Sequence, residues 1–210
     1  MNDDDISGYR YTHAALNQSH DVLLPAVLKL LDDESLSVKE KRLFELGCGN
    51  GSVAHDLTRR GWDVTGVDPS EEGIRQAQAT YPDLKLRNGS AYDDLADQYG
   101  QFPVVLSLEV VEHVYAPRHY ARTLFELLGG GGTAILSTPY HGYWKNLALA
   151  LTNHMDKHFT ALWDHGHIKF WSMDTLGELL REAGFVDVRF ERVGRISPLA
   201  KSMIAIARKP

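Results

Sequence analysis

The segment Phe44-Glu45-Leu46-Gly47-Cys48-Gly49-Asn50-Gly51-Ser52 places three glycines at alternate positions between an apolar run and a helical pattern. Glycine allows positive φ and lacks the Cβ that would collide with a closely approaching ligand, and the helix that follows begins with unpaired backbone N–H groups. Asp68 ends the next apolar segment, where a carboxylate can accept two hydrogen bonds from the vicinal hydroxyls of a ribose. These residues predict a site for a nucleoside-containing ligand. The alternative is a tight strand-to-helix turn that binds nothing.

The glycine spacing and the acid before it narrow the choice of ligand. A dinucleotide-binding loop has its third glycine one residue further along and holds a pyrophosphate at the helix N-terminus. Here the spacing is G-x-G-x-G, and Glu45 precedes the first glycine. A carboxylate attracts a cationic ligand, such as a sulfonium or an amino group, and repels a pyrophosphate. The loop therefore disfavours a nicotinamide dinucleotide.

Outward from this loop, apolar runs alternate with helical patterns. Strands are predicted at residues 43–46, 62–67, 84–86, 104–108, 133–137, 185–193 and 202–208, and helices at 53–60, 71–80, 117–128 and 173–183, with glycines 129–132 ending the third helix. This alternation predicts a parallel sheet covered on both faces. Residues 1–38 are predicted as a helical lead-in that Pro25 breaks or kinks, and residues 39–210 as one domain. Residues 140–170 lack clear alternation and are predicted to form a lid insertion.

The composition disfavours several classes of protein. With 22 basic and 28 acidic residues the net charge is −6, which argues against an extended nucleic-acid surface. The single cysteine, Cys48, has no partner for an internal disulfide, and the acidic residues 1–5 are unlike a signal peptide. We therefore expect a cytoplasmic protein. The apolar run at 147–151 is far shorter than the roughly 20 residues that cross a bilayer, so no membrane span is expected.

The loop and three later segments resemble a known family. Residues 45–51 with Asp68 are similar to motif I and the ribose-binding acid of class I S-adenosylmethionine methyltransferases. The segments VVLSLEVVEH at 104–113, GGGGTAILSTP at 129–139 and HxKFWSxxxLxxLLxxAGF at 167–185 resemble the ubiquinone-biosynthesis O-methyltransferases and their small-molecule relatives. The resemblance covers about residues 40–210. It implies a Rossmann-like α/β fold, with a seven-stranded, mostly parallel sheet, helices on both faces and an antiparallel last strand.

The resemblance also implies S-adenosylmethionine as the cofactor. The glycines of the loop are then expected at its methionine end, Asp68 at its ribose and Leu108 beside it. Many relatives carry an acid after the third strand to bind the adenine amino group, whereas this chain has Asn88-Gly89-Ser90-Ala91. Ser90, backbone groups and apolar packing are expected to hold the adenine instead. The residues predicted to bind the cofactor are Glu45, Gly47, Cys48, Gly49, Gly51, Asp68, Pro69, Ser90, Ala91 and Leu108.

Histidines near the predicted site are candidates for a general base, because imidazole titrates near neutral pH. The candidates are His113, His141, His165 and His167, of which His113 and His167 are the predicted catalytic residues. The alternative for each is a packed histidine with a satisfied partner.

A metal site is the second hypothesis for these residues. Glu109, Glu112 and His113 have the spacing E-x-x-E-H, which would share one face of a helical turn. With His167 and Trp171 they resemble the magnesium site of small-RNA 2′-O-methyltransferases. The predicted metal ligands are Glu109, Glu112, His113 and His167. The alternative is that Glu112 and His113 only pack a short helix.

The lid is rich in aromatic residues that favour a flat or apolar acceptor. They are Tyr140, Tyr143, Trp144, Phe159, Trp163, Phe170 and Trp171. Some of these rings are expected only to pack the lid on the sheet. Residues 145–151 are also expected to make at most weak contact with a membrane surface, as the resemblance implies. Tyr9, Tyr11 and His20 are further candidates for contact with the cofactor.

Four functions remain open from the sequence. The leading hypothesis is an S-adenosylmethionine-dependent O-methyltransferase for a small-molecule acceptor. The second is an RNA 2′-O-methyltransferase with a magnesium site, which the acidic charge opposes. A nicotinamide-dependent oxidoreductase and a catalytically silent cofactor-binding protein are the others.

Overall fold

The computed structural model describes residues 20–33 and 40–210, which form one seven-stranded sheet. Its order is β3-β2-β1-β4-β5-β7-β6, with parallel pairing from β3 to β5 and antiparallel pairing of β7 with both β5 and β6. The strands are β1 (Arg42–Leu46), β2 (Asp63–Asp68), β3 (Lys85–Asn88), β4 (Phe102–Leu108), β5 (Leu128–Pro139), β6 (Val186–Val193) and β7 (Ser202–Arg208). The fold expected from the sequence, including its antiparallel last strand, is confirmed.

Helices cover both faces of this sheet. They are α1 (His20–Leu31), α2 (Ser52–Arg59), α3 (Glu71–Thr80), α4 (Leu95–Tyr99), α5 (Pro117–Glu126), α6 (Tyr143–Leu151), α7 (Met155–Phe159) and α8 (Met173–Glu182), with a short 3-10 helix at Ser197–Leu199. Apolar residues of α1, α2 and α3 pack in one core cluster, and those of α4, α5 and α8 pack in another. Successive residues of β4, such as Val104 and Val105, belong to opposite clusters, as the two-residue period of a strand requires.

The structure corrects two local predictions, the first being the helix break expected as one of two effects of Pro25. Pro25 lies inside α1 and does not end it, because burial of five apolar side chains of this helix offsets the hydrogen bond that proline cannot make. The glycines 129–132 do not form a turn before β5 but belong to it. The pairing of β4 with β5 shifts register between Phe102 and Val104, and Gly131 adopts a φ of +76° beside this irregularity, so the glycines allow the strand to begin early.

Three helices, α4, α6 and α7, were not predicted at all. The short helix α4 carries only one buried apolar residue, Leu95, and the lid contains α6 and α7, where no regular element was expected. The division into a lead-in at 1–38 and a domain at 39–210 stays a prediction. Tyr9 and Tyr11 lie outside the described residues.

Candidate active site

The strand order places the candidate site where β1 and β4 lie side by side and the connections run to opposite edges of the sheet. In open α/β sheets, ligands bind at the carboxyl ends of the strands at such a switch point. The glycine loop directly follows β1, and the segment from Glu109 to His113 directly follows β4. Parallel pairing therefore brings the two motifs of the sequence to one edge.

A cavity of about 360 Å³ opens at this edge. Its walls include Glu45, Gly47, Cys48, Gly49, Asp68, Pro69, Ser90, Ala91 and Leu108 at one end, and Glu109, His113 and His167 toward the other. His20 also lines it. Most residues singled out in the sequence thus surround one space, whereas Gly51 and Glu112 do not line it.

Asp68 is held rigidly at the end of β2. Its Oδ2 accepts a hydrogen bond from the Gly49 N–H at 2.8 Å, and its Oδ1 accepts one from the Ser70 N–H at 2.8 Å. The side chain is buried and lines the cavity. Each carboxylate oxygen has a second lone pair, so the two backbone bonds orient the group and leave it able to accept hydroxyl donors. The acid also connects the glycine loop to β2.

Glu45 is a buried acid whose environment favours a cation. It is 3% exposed, it lines the cavity, and its Oε2 has no hydrogen-bond partner among the residues that the structure describes. Burial, and secondarily the neighbouring Asp68 carboxylate, raise the pKa of Glu45 to about 8. A positively charged ligand beside this group would offset both effects, which is the electrostatic preference that the sequence predicted.

Glycine is required at two positions of the loop for different structural reasons. Gly47 has a φ of +86°, and a Cβ there would lie 2.3 Å from Val110 Cγ2, so the loop passes tightly against the segment after β4. Gly51 has a φ of +75° and precedes α2, and a Cβ there would lie 2.7 Å from Leu86 Cδ1. Gly51 therefore serves the packing of the loop against the sheet rather than the wall of the cavity.

The E-x-x-E-H segment is a turn and not the helix expected from its spacing. The His113 N–H donates to the Val110 carbonyl, and Glu109 has a φ of +56°, which is uncommon for a residue with a Cβ. Because the backbone turns at Glu109, its carboxylate separates from the other ligands and Oε1 accepts a hydrogen bond from Ser137 Oγ at 2.8 Å. Burial raises the pKa of Glu109 to about 7.

Three of the four predicted metal ligands converge. One ligand atom each from Glu112, His113 and His167 lies within 4.8 Å of the other two, and His167 Nε2 is 3.9 Å from Glu112 Oε1. Glu112 is 1% exposed, and within residues 20–33 and 40–210 neither carboxylate oxygen has a hydrogen-bond partner. A buried carboxylate without a partner is costly, so this acid is arranged to meet a cation or a proton.

The two imidazoles of this group are held as neutral ligands. His113 Nδ1 lies 3.2 Å from the carbonyl oxygens of His165 and Gly166. Since a carbonyl only accepts, Nδ1 must carry the proton, and Nε2 keeps a free lone pair. Burial lowers the pKa of His113, and burial together with the nearby His113 lowers that of His167 to about 4.

The lid is tied to the turn after β4 by its own backbone. The N–H groups of Ile168 and Lys169 donate to the Glu112 carbonyl at 2.9 and 3.0 Å, and Trp171 Nε1 donates to the Val111 carbonyl at 3.1 Å. These bonds explain how His167, more than fifty residues away in sequence, comes to lie beside Glu112. Trp171 is therefore a structural partner of the cluster.

The remaining candidate histidines lie elsewhere. His141 is buried, lines a second cavity and packs against Phe159 and Phe170. His165 is exposed and contributes its carbonyl oxygen to His113. Only His113 and His167 of the four line the first cavity.

The aromatic residues of the lid divide into three groups. Trp163 lines the first cavity and lies edge-on to His113, with ring centroids 5.9 Å apart. Tyr140 and Trp171 are buried, whereas Tyr143 and Trp144 on α6 are 72% and 64% exposed. Of the aromatic residues that the sequence assigned to an acceptor pocket, some therefore line the cavity, some pack in the core and some lie on the surface.

Several lining residues were missed from the sequence. They are Leu46, Asn50, Ser52, Val53, Val67, Gly89, Tyr92, Val110, Val114 and Tyr115. Most are immediate neighbours of predicted residues in the loops after β1, β3 and β4, so widening each motif by two residues would have found them. Tyr92 also accepts a hydrogen bond from the Ala116 N–H at 3.0 Å, linking two walls of the cavity.

Comparison with known proteins agrees with this geometry. Residues 16–189 match the family described as a methyltransferase domain. The chain is 34% identical over 155 residues to the ubiquinone biosynthesis O-methyltransferase of Ruegeria pomeroyi, covering 70% of this chain and 60% of that protein. It is 30% identical over 171 residues to the enzyme of the same name from Psychrobacter arcticus, covering 77% and 65%. The chain thus spans less than two thirds of the length of these relatives.

A solved structure shows the same fold. The S-adenosylmethionine-dependent methyltransferase from Archaeoglobus fulgidus superposes with a TM-score of 0.65 at 16% identity, covering 89% of this chain and 93% of that one. The chain belongs to the class I S-adenosylmethionine-dependent methyltransferases. A nicotinamide-dependent oxidoreductase is therefore rejected. None of the helices in residues 20–33 and 40–210 has the length and apolar character needed to cross a bilayer.

Proposed function

We propose that the chain transfers the methyl group of S-adenosylmethionine to a hydroxyl oxygen of a small aromatic acceptor. One observation carries this proposal: a single cavity joins the acids Glu45 and Asp68 to the cluster around His113 and His167. A cofactor seated on the acids would extend its sulfonium toward the cluster. The relatives named as ubiquinone biosynthesis O-methyltransferases support oxygen as the acceptor atom.

The cofactor end fits S-adenosylmethionine by shape and charge. Asp68 is oriented to accept the two ribose hydroxyls, and the unpartnered Oε2 of Glu45 suits the ammonium of the methionine portion. At the adenine end, Ser90 Oγ already accepts the Tyr92 N–H, and the Ser90 N–H is bound to Asp93. The Ser90 hydroxyl keeps its O–H donor, so we propose that it holds the adenine together with backbone atoms and the walls formed by Ala91 and Tyr92.

The acceptor end fits a divalent metal ion. We propose that Glu112, His113 and His167 hold it, because they combine an unpartnered buried carboxylate with two neutral imidazoles. Two imidazoles favour a transition metal over magnesium. When bound, such an ion would hold the acceptor hydroxyls and lower their pKa. Glu109, the fourth residue predicted from the sequence, is engaged with Ser137 and is assigned no ligand role.

The protein residues then act mainly by alignment and exclusion of water. In the reaction the acceptor hydroxyl loses its proton to water, its oxygen forms a bond to the methyl carbon, the carbon–sulfur bond breaks, and S-adenosylhomocysteine leaves with the electron pair. Trp163 and Tyr115 would flank a planar acceptor, and correct alignment supplies much of the acceleration in such displacements. Histidine with a pKa of about 4 is a weak base but a good ligand, so His167 is assigned a holding role.

A methylation assay tests this function. The protein is incubated with S-adenosylmethionine and a panel of dihydroxylated aromatic compounds, with a chelator or with added Mn²⁺ or Mg²⁺, and products are analysed by mass spectrometry. We expect each product to carry one added methyl group. The amount of product should be at least tenfold lower after chelation and in His167→Ala. His154→Ala removes an exposed lid histidine and is the matched control. Transfer that is equal in chelator and in both variants would reject the metal role.

The other candidate functions are outcomes of the same assay. The E-x-x-E-H pattern favours an RNA 2′-O-methyltransferase, and methylation of a short RNA but of no small acceptor would establish it. The net charge of −6 opposes it. Binding of S-adenosylmethionine without transfer to any acceptor would identify a silent cofactor-binding protein.

A further inference from the structure

A second cavity, of about 430 Å³, lies behind the first. It is enclosed by the end of β5, the inner side of α6 and the segment from Arg195 to Ser202. Glu109 and His167 line both cavities, so these two side chains form the boundary between them. An acceptor bound beside His167 would therefore have space for a substituent on the far side of this boundary.

The lining of the second cavity is cationic. Lys145, Arg195 and Lys201 line it, and Glu109 is the single acid on its walls among the residues that the structure describes. That acid is already hydrogen-bonded to Ser137. The ion pairs found within residues 20–33 and 40–210 involve none of the three cations. Positive charge therefore exceeds negative charge around this space.

Lys145 is the most unusual of these residues. It is 7% exposed, and its ammonium makes one hydrogen bond, to the Lys201 carbonyl at 3.3 Å. Lysine is almost never buried to this extent without a charged partner. Burial, and secondarily the Arg195 guanidinium, lower the pKa of Lys145 to about 8, and the Glu109 carboxylate on the same cavity offsets only part of this shift. An anion in the cavity would relieve both the desolvation and the repulsion between the two cations.

The helix that carries Lys145 reverses the usual pattern of burial. A surface helix normally buries apolar residues and exposes charged ones. In α6, Tyr143, Trp144 and Leu151 are 72%, 64% and 78% exposed, and Lys145 is its buried residue. Core packing does not explain this arrangement, because the buried side chain is the one with the highest cost of desolvation.

The cavity also holds an unsatisfied polar atom. His141 is 8% exposed, and its Nδ1 has no hydrogen-bond partner in the described part of the chain. The ring lines the same cavity as Lys145. A buried polar atom without a partner is rare in proteins and indicates a missing ligand or water. The observation is independent of the charges and points to the same place.

We propose that the second cavity binds an anionic substituent of the acceptor, a carboxylate, through Lys145, Arg195 and His141. This inference rests on the proposed function, because it describes the acceptor of the same reaction. It assigns a substrate class: hydroxylated aromatic acids rather than neutral phenols. Since the cavity and the cluster share His167, the carboxylate and the methylated hydroxyl lie on opposite sides of that residue.

Binding to the protein saturated with S-adenosylhomocysteine tests the proposal. The probes are 3,4-dihydroxybenzoate and 3,4-dihydroxybenzamide, which share shape and hydroxyls and differ in charge. We expect the carboxylate to bind roughly tenfold more tightly or better, as a hydrogen-bonded ion pair allows. The preference should fall about fivefold or more in Lys145→Met and in Arg195→Met. Lys157→Met is the matched control, because Lys157 is an exposed lid lysine outside the cavity.

Equal affinity for the two probes, including no measurable binding of either, would overturn the proposal, as would a preference that survives both cavity variants. Arg195 is exposed, so Arg195→Met keeps the test valid if Lys145→Met fails to fold. Failure of the proposed function gives a different result, namely no methyl transfer to either probe. Methyl transfer to both probes with equal kcat/KM would preserve the function and reject the carboxylate subsite.

Discussion

Buried polar groups are hydrogen-bonded differently in two regions of the molecule. The first region is the loops after β1 and β2, and the second is the lid at residues 140–170. In the loops, Asp68 is buried but accepts two backbone N–H groups at 2.8 Å. In the lid, Lys145 and His141 are buried with few partners, and large apolar side chains face outward. In the first region, the backbone of the fold supplies the hydrogen bonds that the buried carboxylate needs. In the second region, the described residues supply few hydrogen bonds to Lys145 and His141.

The largest effect is expected where the first region is tightest. Gly47 and Gly61 both have a φ of +86°, but a Cβ at Gly47 would meet Val110 at 2.3 Å, whereas nothing lies within 4 Å at Gly61. Gly47→Ala should lower the free energy of unfolding by about 3 kcal/mol, from backbone strain and overpacking. Gly61→Ala should cost only about 1 kcal/mol. Urea denaturation measures the free energy of unfolding of both variants. Equal losses would show that the Val110 side chain moves aside without cost.

The electrostatics of the first region give a pH dependence. The pKa of Glu45 is raised to about 8, so the acid is largely protonated at neutral pH and must ionise to pair with a cation. The affinity for S-adenosylmethionine should rise by up to roughly tenfold per unit between about pH 6 and 8, and level above that. Calorimetry in buffers of different ionisation enthalpy should detect proton release on binding.

Glu45→Gln is the control for this pH dependence, because it removes the titrating group and keeps the volume. Its proton release should vanish and its affinity should not vary with pH over the same range. Proton release that persists in Glu45→Gln would assign the linkage to another group. A wild-type affinity that falls with rising pH would contradict the sign of the account.

Substitutions of two tryptophans test the difference between the inner and outer surfaces of the second region. Trp171 is buried and donates to the Val111 carbonyl, so Trp171→Phe should cost about 1.5 kcal/mol of stability by leaving that carbonyl unpaired. Trp144 is 64% exposed, and Trp144→Gln should change stability by less than about 0.5 kcal/mol. Thermal unfolding separates the two. A large loss in Trp144→Gln would mean that the outer surface of α6 is covered by protein.

The smallest effect concerns the unpartnered acid of the cluster. Glu112→Gln removes a buried carboxylate whose oxygens have no hydrogen-bond partner, so it should stabilise the protein in chelator by about 1 kcal/mol. The same variant should lose the rise in Tm that Mn²⁺ gives the wild type. Glu178→Gln, at an exposed position of α8, should do neither. Destabilisation of Glu112→Gln in chelator would show that the acid has a structural partner.

The comparison also explains what the sequence could predict. The loop from Gly47 to Gly51 and Asp68 were found because local rules determine them: glycine where the chain bends tightly, and an acid where a strand ends. The parallel sheet was predicted because its strands and helices alternate with strong periodicity, whereas the antiparallel last strand was implied by the family resemblance. These features depend on few long-range contacts.

The lid was poorly predicted for the opposite reason. Helix α6 carries its charge inside and its aromatic rings outside, so amphipathic periodicity points the wrong way. The helical turn expected for Glu109 to His113 is not formed, because the chain turns at Glu109, where φ is positive and the carboxylate bonds to Ser137 of β5. Such contacts are invisible in local spacing, and so was the second cavity, which residues from three separate segments enclose.

Calorimetric titration with S-adenosylhomocysteine and with NAD tests the central claim most directly. We expect S-adenosylhomocysteine to bind at about micromolar Kd, NAD not to bind, and Asp68→Asn to weaken binding by roughly 100-fold through loss of charged hydrogen bonds. The exposed Asp63→Asn on the same strand should bind as the wild type does. Binding of NAD alone, or equal binding by wild type and Asp68→Asn, would contradict the assignment of this cavity to S-adenosylmethionine.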